Sequence, residues 1–286
     1  MKKHLFSIVI IVMFLVGFSV LLYPAVSAYV NSRNASHLID TYHETLTNAE
    51  DDTLDRIIAE AEAYNQKLRQ NESAFFDPSL VPGYEETLDI TGTGIMGYID
   101  IDRIHVELPI YHSVENEVLQ IGAGHLPGSS LPVGGASTHC VLTGHRGLPS
   151  ARLFTDLDQL EIGDEFRITV LNRCLTYRID QIETVLPTEY ADLMTVRGLD
   201  YCTLVTCTPY GINTHRLLVR GVRVETAEEK PGIFVRNEAF LIDPLIVTPL
   251  MMIPLLLICL LLVILRGKLT AIKPGKNETE SHGKER

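Results

Sequence analysis

Residues 203–216, TLVTCTPYGINTHR, hold the pattern that decides the fold. Thr203–Thr206 is a β-rich run that delivers one thiol, Cys207, at its end. Pro209-Tyr210-Gly211 then reverses the chain, and a second β-rich run carries Arg216 back beside the first. A thiolate needs nearby positive charge to form at neutral pH, and a developing oxyanion needs fixed donors. A hairpin with a Cys on one strand and an Arg on its neighbour offers both.

Outward from this hairpin the β pattern continues. Candidate strands are Gly97–Ile101, Val106–Tyr111, Cys140–Thr143, Glu165–Leu171, Leu175–Val185, Tyr201–Cys207 and Thr214–Val224, separated by Gly, Pro, Asn and Asp clusters. So many short strands in roughly 130 residues predict a mainly β domain of about eight strands, and closure into a barrel would remove exposed edges. Gly147–Leu157 reads as a short helical insertion, and Pro187–Leu199 as a long connection of the kind that frames binding sites. Ahead of the β region, Leu38, Tyr42 and Leu46, then Ile57, Ala61, Tyr64 and Leu68, recur at helical spacing. Polar Thr45–Thr53 predicts a break between two helices. Asn71–Gly83, NESAFFDPSLVPG, is a loop whose Phe75 and Phe76 need something to cover.

Two uncharged apolar runs frame the chain, Leu5–Tyr23 and Leu245–Leu265. Each approaches the length of about twenty residues that spans hydrocarbon as a helix. Lys2 and Lys3 precede the first, and Arg266, Lys268, Lys273 and Lys276 follow the second. The positive-inside rule then puts both termini in the cytoplasm and the middle of the chain outside. The expected organisation is a cytoplasmic start (1–4), a membrane helix (5–23), a helical extension with its loop (24–91) and the β-barrel (92–226). A linker (227–244), a second membrane helix (245–265) and a basic cytoplasmic tail (266–286) complete it. Val26-Ser27-Ala28 resembles a signal cleavage site, so processing of the first run is the alternative.

The 286-residue chain carries a net charge of −12. Its two basic flanks, outside the apolar runs, hold eight Lys/Arg and three Asp/Glu, which leaves 16 basic and 33 acidic residues between them, a net −17. Such a surface repels nucleic acid and anionic lipid, and neither is an expected partner of the middle segment. Five cysteines match no zinc spacing, and no acidic cluster has calcium-loop spacing; neither metal nor cofactor is expected. Cys140, Cys174 and Cys202 sit in apolar strand-like settings as small core side chains. Cys207 differs by its place at a strand–turn junction.

A cysteine nucleophile needs a group that moves a proton. Among ten histidines, His145 follows an apolar strand in LTGHRG, and His125 lies in GAGHLPGSS; both have flanking glycines that let substrate approach. His215 neighbours Arg216 and on a strand points to the opposite face. Arg216 is the cation best placed beside Cys207, while Arg146 and Arg152 lie in loops and Arg220 stands a strand-length away.

TLVTC at 203–207 resembles the T-L-x-T-C signature of sortases, cysteine transpeptidases of Gram-positive cell surfaces. LTGHRG at 142–147 resembles their histidine segment, and Arg216 falls where their arginine follows the cysteine hairpin. Class C, the pilin polymerases, is the most similar: it has a membrane run at each end, a helical extension, and a segment like GAGHLPGSSLPVGG at 122–135. The resemblance implies a sortase-like barrel with catalytic Cys207, His145 and Arg216, and His125, Thr143 and Thr206 as candidates to line the substrate groove. It further implies a lid at about 73–83, in which class C carries Asp-Pro and then an aromatic residue. There the Asp pairs with the catalytic Arg and the aromatic covers the Cys. This chain has Asp77-Pro78 but Ser79 at the aromatic position, with Phe76 on the other side of the Asp.

The activity so implied is cleavage of an LPxTG-like sorting signal between Thr and Gly through a thioester, and transfer to a lysine amine of another pilin subunit. Pilin subunits and the bilayer are the implied partners. A housekeeping sortase serving cell-wall precursor is the alternative enzyme, and a non-catalytic pilin-binding scaffold the alternative of another class.

Overall fold

The computed structural model describes residues 2–225. The linker, the second apolar run and the basic tail expected at 227–286 lie outside the described residues.

Helix α1, Lys2–Asn48, is continuous from the first apolar run into the body of the protein. Among the described residues it is the one helix long and apolar enough to cross a membrane, consistent with anchoring at the N-terminal side. Its Met13, Val20 and Leu21 side chains are about two-thirds exposed, a surface suited to hydrocarbon and not to water. Further along, Ala35, Ile39 and Tyr42 recur at four and three residues and are buried against the barrel. The polar stretch breaks the helix as expected, at Ala49 and Glu50, and α2 runs over Asp51–Gln70. Asp51 and Asp52 in its first turn and Lys67 and Arg69 in its last oppose the helix dipole favourably. It buries Leu54, Ile58, Ala61, Tyr64 and Leu68 together with one polar residue, Asn65. The Asn65 amide matches both backbone groups of Leu131, at 3.1 Å and 2.7 Å.

Eight strands follow: β1 (Ile95–Ile101), β2 (Val106–His112), β3 (Ala123–His125), β4 (Thr138–Thr143), β5 (Glu165–Val170), β6 (Arg173–Val185), β7 (Asp200–Thr208) and β8 (His215–Val224). They close in the order β1-β2-β3-β4-β7-β8-β6-β5. β2/β3 and β4/β7 are parallel, and the remaining pairs are antiparallel. Alternate residues fill the interior: Cys140 and Leu142 from β4, Cys202 and Leu204 from β7, Leu217 and Val219 from β8, with Phe166 and Tyr177 opposite.

Seven strands match the sequence expectation, and β3 is the addition. The helix expected at Gly147–Leu157 is not formed. That segment is a series of turns ending in one 3-10 turn, Leu157–Gln159. Its Ala151, Leu153, Phe154 and Leu157 are buried, so packing of apolar side chains sets its path in place of helical propensity.

The Tyr42 hydroxyl joins α1 to the barrel, donating to Met96 O at 3.0 Å and accepting from Leu171 N at 2.8 Å. Tyr42→Phe leaves a buried carbonyl and a buried amide unmatched and is expected to cost about 1–3 kcal/mol. Urea unfolding of the detergent-solubilised protein measures it; an unchanged midpoint would mean the hydroxyl is not a structural tie.

Candidate active site

β7 and β8 pair in a register that sets Cys207 directly opposite Arg216. Cross-strand partners in an antiparallel pair project from the same face, so thiol and guanidinium stem share one side of the sheet. The intervening turn is closed by Pro209 O, which accepts from the amides of Ile212 and Asn213. Gly211 and Asn213 take the left-handed conformations that the reversal demands. The Arg216 guanidinium donates to the carbonyls of His215 (3.1 Å) and Asn213 (3.4 Å), which hold it at the mouth of the turn.

Strand alternation turns Cys202, Leu204 and Thr206 inward and leaves Val205 and Cys207 on the outer face. Outside the barrel, Val205 packs with Val141, Val185 and Leu218 in a cluster separate from the core, with Leu126 and Leu193 packed against it. Cys207 therefore stands at the end of an apolar floor. Leu193 reaches that floor from the long connection between β6 and β7.

His145 arrives from β4, which runs parallel to β7 with Thr143 beside Val205. The Gly144 amide donates to Val205 O at 3.0 Å, and the Thr206 hydroxyl donates to Gly144 O at 2.8 Å. The strand that carries the thiol thus also fixes the backbone that presents the imidazole. Partial burial lowers the His145 pKa from its ordinary 6.5, so the ring is neutral at physiological pH and able to accept a proton. Cys207, Arg216 and the His145 segment come together at one end of β7.

The other groove candidates divide. Thr143 is half-exposed beyond Val141 on the outer face. Thr206 is buried and occupied with Gly144 O, so it holds the site from behind. His125 has no exposed surface, and its ring is fully engaged. Nε2 lies 2.9 Å from Ser130 O and must donate to that carbonyl, which leaves Nδ1 to accept from the Tyr84 hydroxyl at 2.9 Å. Thr206 and His125 are therefore not groove-lining residues, because the barrel and its covering segments enclose both.

The segment expected to act as a lid lies between two loops. Ala74 and Phe75 run against Gly128, and Phe76 meets the Tyr190 ring edge-on at 4.8 Å between centroids. Pro78 opens a 3-10 turn, Pro78–Leu80, capped by the Asp77 carboxylate. That carboxylate accepts from the Ser79 amide (3.2 Å) and hydroxyl (2.6 Å). The Asp77–Arg216 contact implied by the resemblance is thus not made: each group is turned to hydrogen bonds within its own segment. Ser79, in place of an aromatic residue, is what gives Asp77 this local partner.

One functional neighbour escaped the sequence reading. His139 is buried on the outer face between Nδ1···Met194 O (3.0 Å) and Nε2···Thr203 Oγ1 (2.7 Å), tying the β6–β7 connection to the floor strand. It borders a cavity of about 430 Å³ with Arg69, Phe75, Ser129 and Arg197. Its place at the start of β4 carried no signal, since a histidine matched by a carbonyl and a hydroxyl from distant segments leaves no local pattern. Among the described residues no group of three His, Cys, Asp or Glu is placed to hold a metal.

A sortase-domain family model matches residues 99–224, which contain all three residues of this constellation. The chain belongs to the sortase family of cysteine transpeptidases. It is 47% identical to Streptococcus agalactiae sortase C1, covering 66% of this chain and 99% of that one with a TM-score of 0.61. With Streptococcus pneumoniae sortase C it shares 40% identity over 66% of this chain and 97% of that one, with a TM-score of 0.58. A Streptococcus agalactiae Sortase A is 29% identical over 137 residues, which span 47% of this chain and 55% of that relative.

Burial, the largest influence, pulls the His139 pKa from 6.5 to about 4. Below about pH 6.5 the unfolded chain takes up a proton that the folded sortase refuses. The stabilisation is complete above that pH and is lost as pH falls through 4, at most on the order of 3 kcal/mol. Unfolding midpoints between pH 7 and 4 should fall more steeply in the native protein than in His139→Gln; equal slopes would remove His139 as the source.

Proposed function

We propose that this sortase is a pilin polymerase anchored in the cell membrane, with Cys207, His145 and Arg216 as its catalytic residues. The observation that carries the reading is the cross-strand pairing of Cys207 with Arg216, with the His145 segment held against β7 through Gly144. The near-complete coverage of two class C structures, one of them described in terms of pilin substrate specificity, supports the class.

In this mechanism the neutral His145 ring takes the Cys207 thiol proton, and the resulting thiolate attacks the Thr–Gly carbonyl of an LPxTG-like signal. The oxyanion is met by Arg216 and backbone donors. As the C–N bond breaks, His145 gives its proton to the leaving amine of Gly, and a thioester remains on Cys207. A lysine amine of the next pilin subunit then attacks the thioester, His145 takes the amine proton, and an isopeptide bond replaces the C–S bond. Leu126 and Leu193, partly exposed over the buried floor of Val141, Val205 and Leu218, suit the apolar residues of such a signal. Water competes for the thioester, so a cover over Cys207 has a chemical reason, and the 73–83 segment with Asp77, Pro78 and Phe76 is assigned that role. In this reading α1 anchors the protein through residues 5–23, the run at 245–265 adds a second span, both termini are cytoplasmic and the barrel is outside. The likeness to Sortase A favours a second reading, transfer to a cell-wall precursor by the same chemistry.

Cys207→Ala is expected to abolish both product and acyl-enzyme on an LPxTG-containing peptide, as read by mass spectrometry. Surviving turnover would refute the nucleophile, and a native protein that forms no adduct would favour a binding scaffold. Arg216→Lys should lose about tenfold or more in kcat/KM, because an ammonium cannot replace the planar fork; a near-native rate would remove Arg216 from the reaction. A pilin lysine and a wall-precursor amine supplied in competition decide between polymerase and anchor by which product accumulates.

A further inference from the structure

His145 is flanked by Gly144 and Arg146, and Cys207 by Thr206 and Thr208. These four neighbours are joined in two pairs. The Thr206 hydroxyl donates to Gly144 O at 2.8 Å, and Arg146 Nη1 donates to Thr208 Oγ1 at 3.1 Å. Strand alternation puts Thr206 and Thr208 on one face of β7 and Cys207 on the other. The strand bearing the thiol therefore grips the histidine segment immediately before and immediately after the imidazole.

Arg146 is held in an arrangement that a merely solvated arginine would not adopt. Its side chain is only 8% exposed, and Nη2 is paired with the half-exposed Asp158 in the 3-10 turn at 157–159. Its Nε is buried with no hydrogen-bond partner. Burying a guanidinium costs stability before its contacts are counted, and an unmatched N–H adds to that cost. An arginine pointing into water at this loop would escape both costs. What the buried position achieves is reach: one rigid fork spans Thr208 and Asp158 together, which a lysine cannot do. The next residue keeps the loop close, since Gly147 has φ +77° and a Cβ there would lie 2.9 Å from the Tyr210 ring, three residues past Cys207.

We propose that Arg146 is a positioning residue for the transfer reaction: with Asp158 and Thr208 it locks the His145 segment onto the Cys207 strand, so that the proton moves within a fixed geometry. It acts through its neighbours and does not touch the substrate. This rests on the reading of Cys207 as nucleophile and His145 as proton carrier.

The test uses the full-length protein in detergent and the variants Arg146→Gln, Arg146→Lys, Asp158→Asn and Thr208→Val. Single-turnover thioester formation on an LPxTG-containing peptide is measured per titrated active site, with KM measured beside it. Arg146→Gln is expected to slow acylation about tenfold to a hundredfold with KM within about twofold, because the apolar floor is untouched. Arg146→Lys should behave like Arg146→Gln, since charge without the fork does not restore the bridge. Asp158→Asn and Thr208→Val should each slow it about threefold to tenfold, and Arg146→Gln combined with Asp158→Asn should be no slower than Arg146→Gln alone. A purely structural role would lower the number of titratable sites and leave the rate per site unchanged. Native rates per site in both Asp158→Asn and Thr208→Val overturn the proposal even if the Arg146 variants fail to fold, as does a raised KM at constant kcat. Should the native protein form no thioester, the functional reading fails, and alkylation of Cys207 by iodoacetamide judges the lock alone. At least threefold slower labelling in Arg146→Gln supports it, and labelling within twofold overturns it.

Discussion

Everything at this site depends on the register of β7 between two neighbours of opposite direction. β4 lies parallel to it and β8 antiparallel, and the pairing sets Thr143 beside Val205 and Arg216 beside Cys207. A slip of one residue would turn the thiol into the core and bring a threonine out in its place. The register is fixed from inside, where Cys202, Leu204 and Thr206 point to the interior and the small side chains of Cys140 and Cys202 stand opposite one another. The buried cysteines thus contribute by their small size, while Cys207, an odd number of residues beyond Cys202 and so on the opposite face, contributes by its exposure.

The histidines follow the same division between packing and chemistry. The rings of His125 and His139 each face a backbone carbonyl on one nitrogen and a hydroxyl on the other, so both nitrogens of each ring are already engaged. The His145 ring has no hydrogen-bond partner among the described residues, and only its backbone is held, by Phe154 N at 3.2 Å. A proton carrier needs this combination of fixed main chain and unoccupied ring. The sequence around His125 and His145 looks alike because both are flanked by glycine, and both glycines are crowded: a Cβ on Gly144 would lie 2.6 Å from the Phe154 ring. A Cβ on Gly124 would lie 2.4 Å from Ser113 O, so that glycine serves close packing and not access for a substrate.

Legibility in the sequence tracks how local each determinant is. The hairpin, the helix break and seven strands could be read because alternation, turn residues and helical spacing are written within a few neighbouring positions. β3 could not, since Ala-Gly-His has no strand propensity of its own and is held by β2 on one side and β4 on the other. The 147–157 segment misled because Ala151, Arg152 and Leu153 favour a helix, whereas Leu153 takes φ +42° so that Phe154 and Leu157 can be buried. Cys207, Arg216 and His145 are singled out by their chemistry and by the family resemblance, and the structure brings Cys207, Arg216 and the His145 segment to one end of β7. His139 and Arg146 stood in view without a signal, because their partners, Thr203, Met194, Thr208 and Asp158, are distant in the chain.

The 73–83 segment shows how one substitution redirects a contact. A carboxylate after a helix and before Pro bonds the nearest donors that its geometry permits, and Ser79 supplies an amide and a hydroxyl two residues away. Both donors fall on the same oxygen, Oδ1, and an aromatic side chain at that position would leave that oxygen with the amide alone. With Asp77 satisfied locally, the segment is held by the Phe76–Tyr190 edge contact, by the Phe75 ring and by backbone against Gly128. Such contacts are little affected by salt, whereas an exposed ion pair weakens as ionic strength rises. The aromatic contacts run to the β6–β7 connection, and that connection also reaches the floor beneath the thiol through Leu193. The segment is therefore joined to the floor through the β6–β7 connection by ring contacts at Tyr190, with no ion pair between them among the described residues.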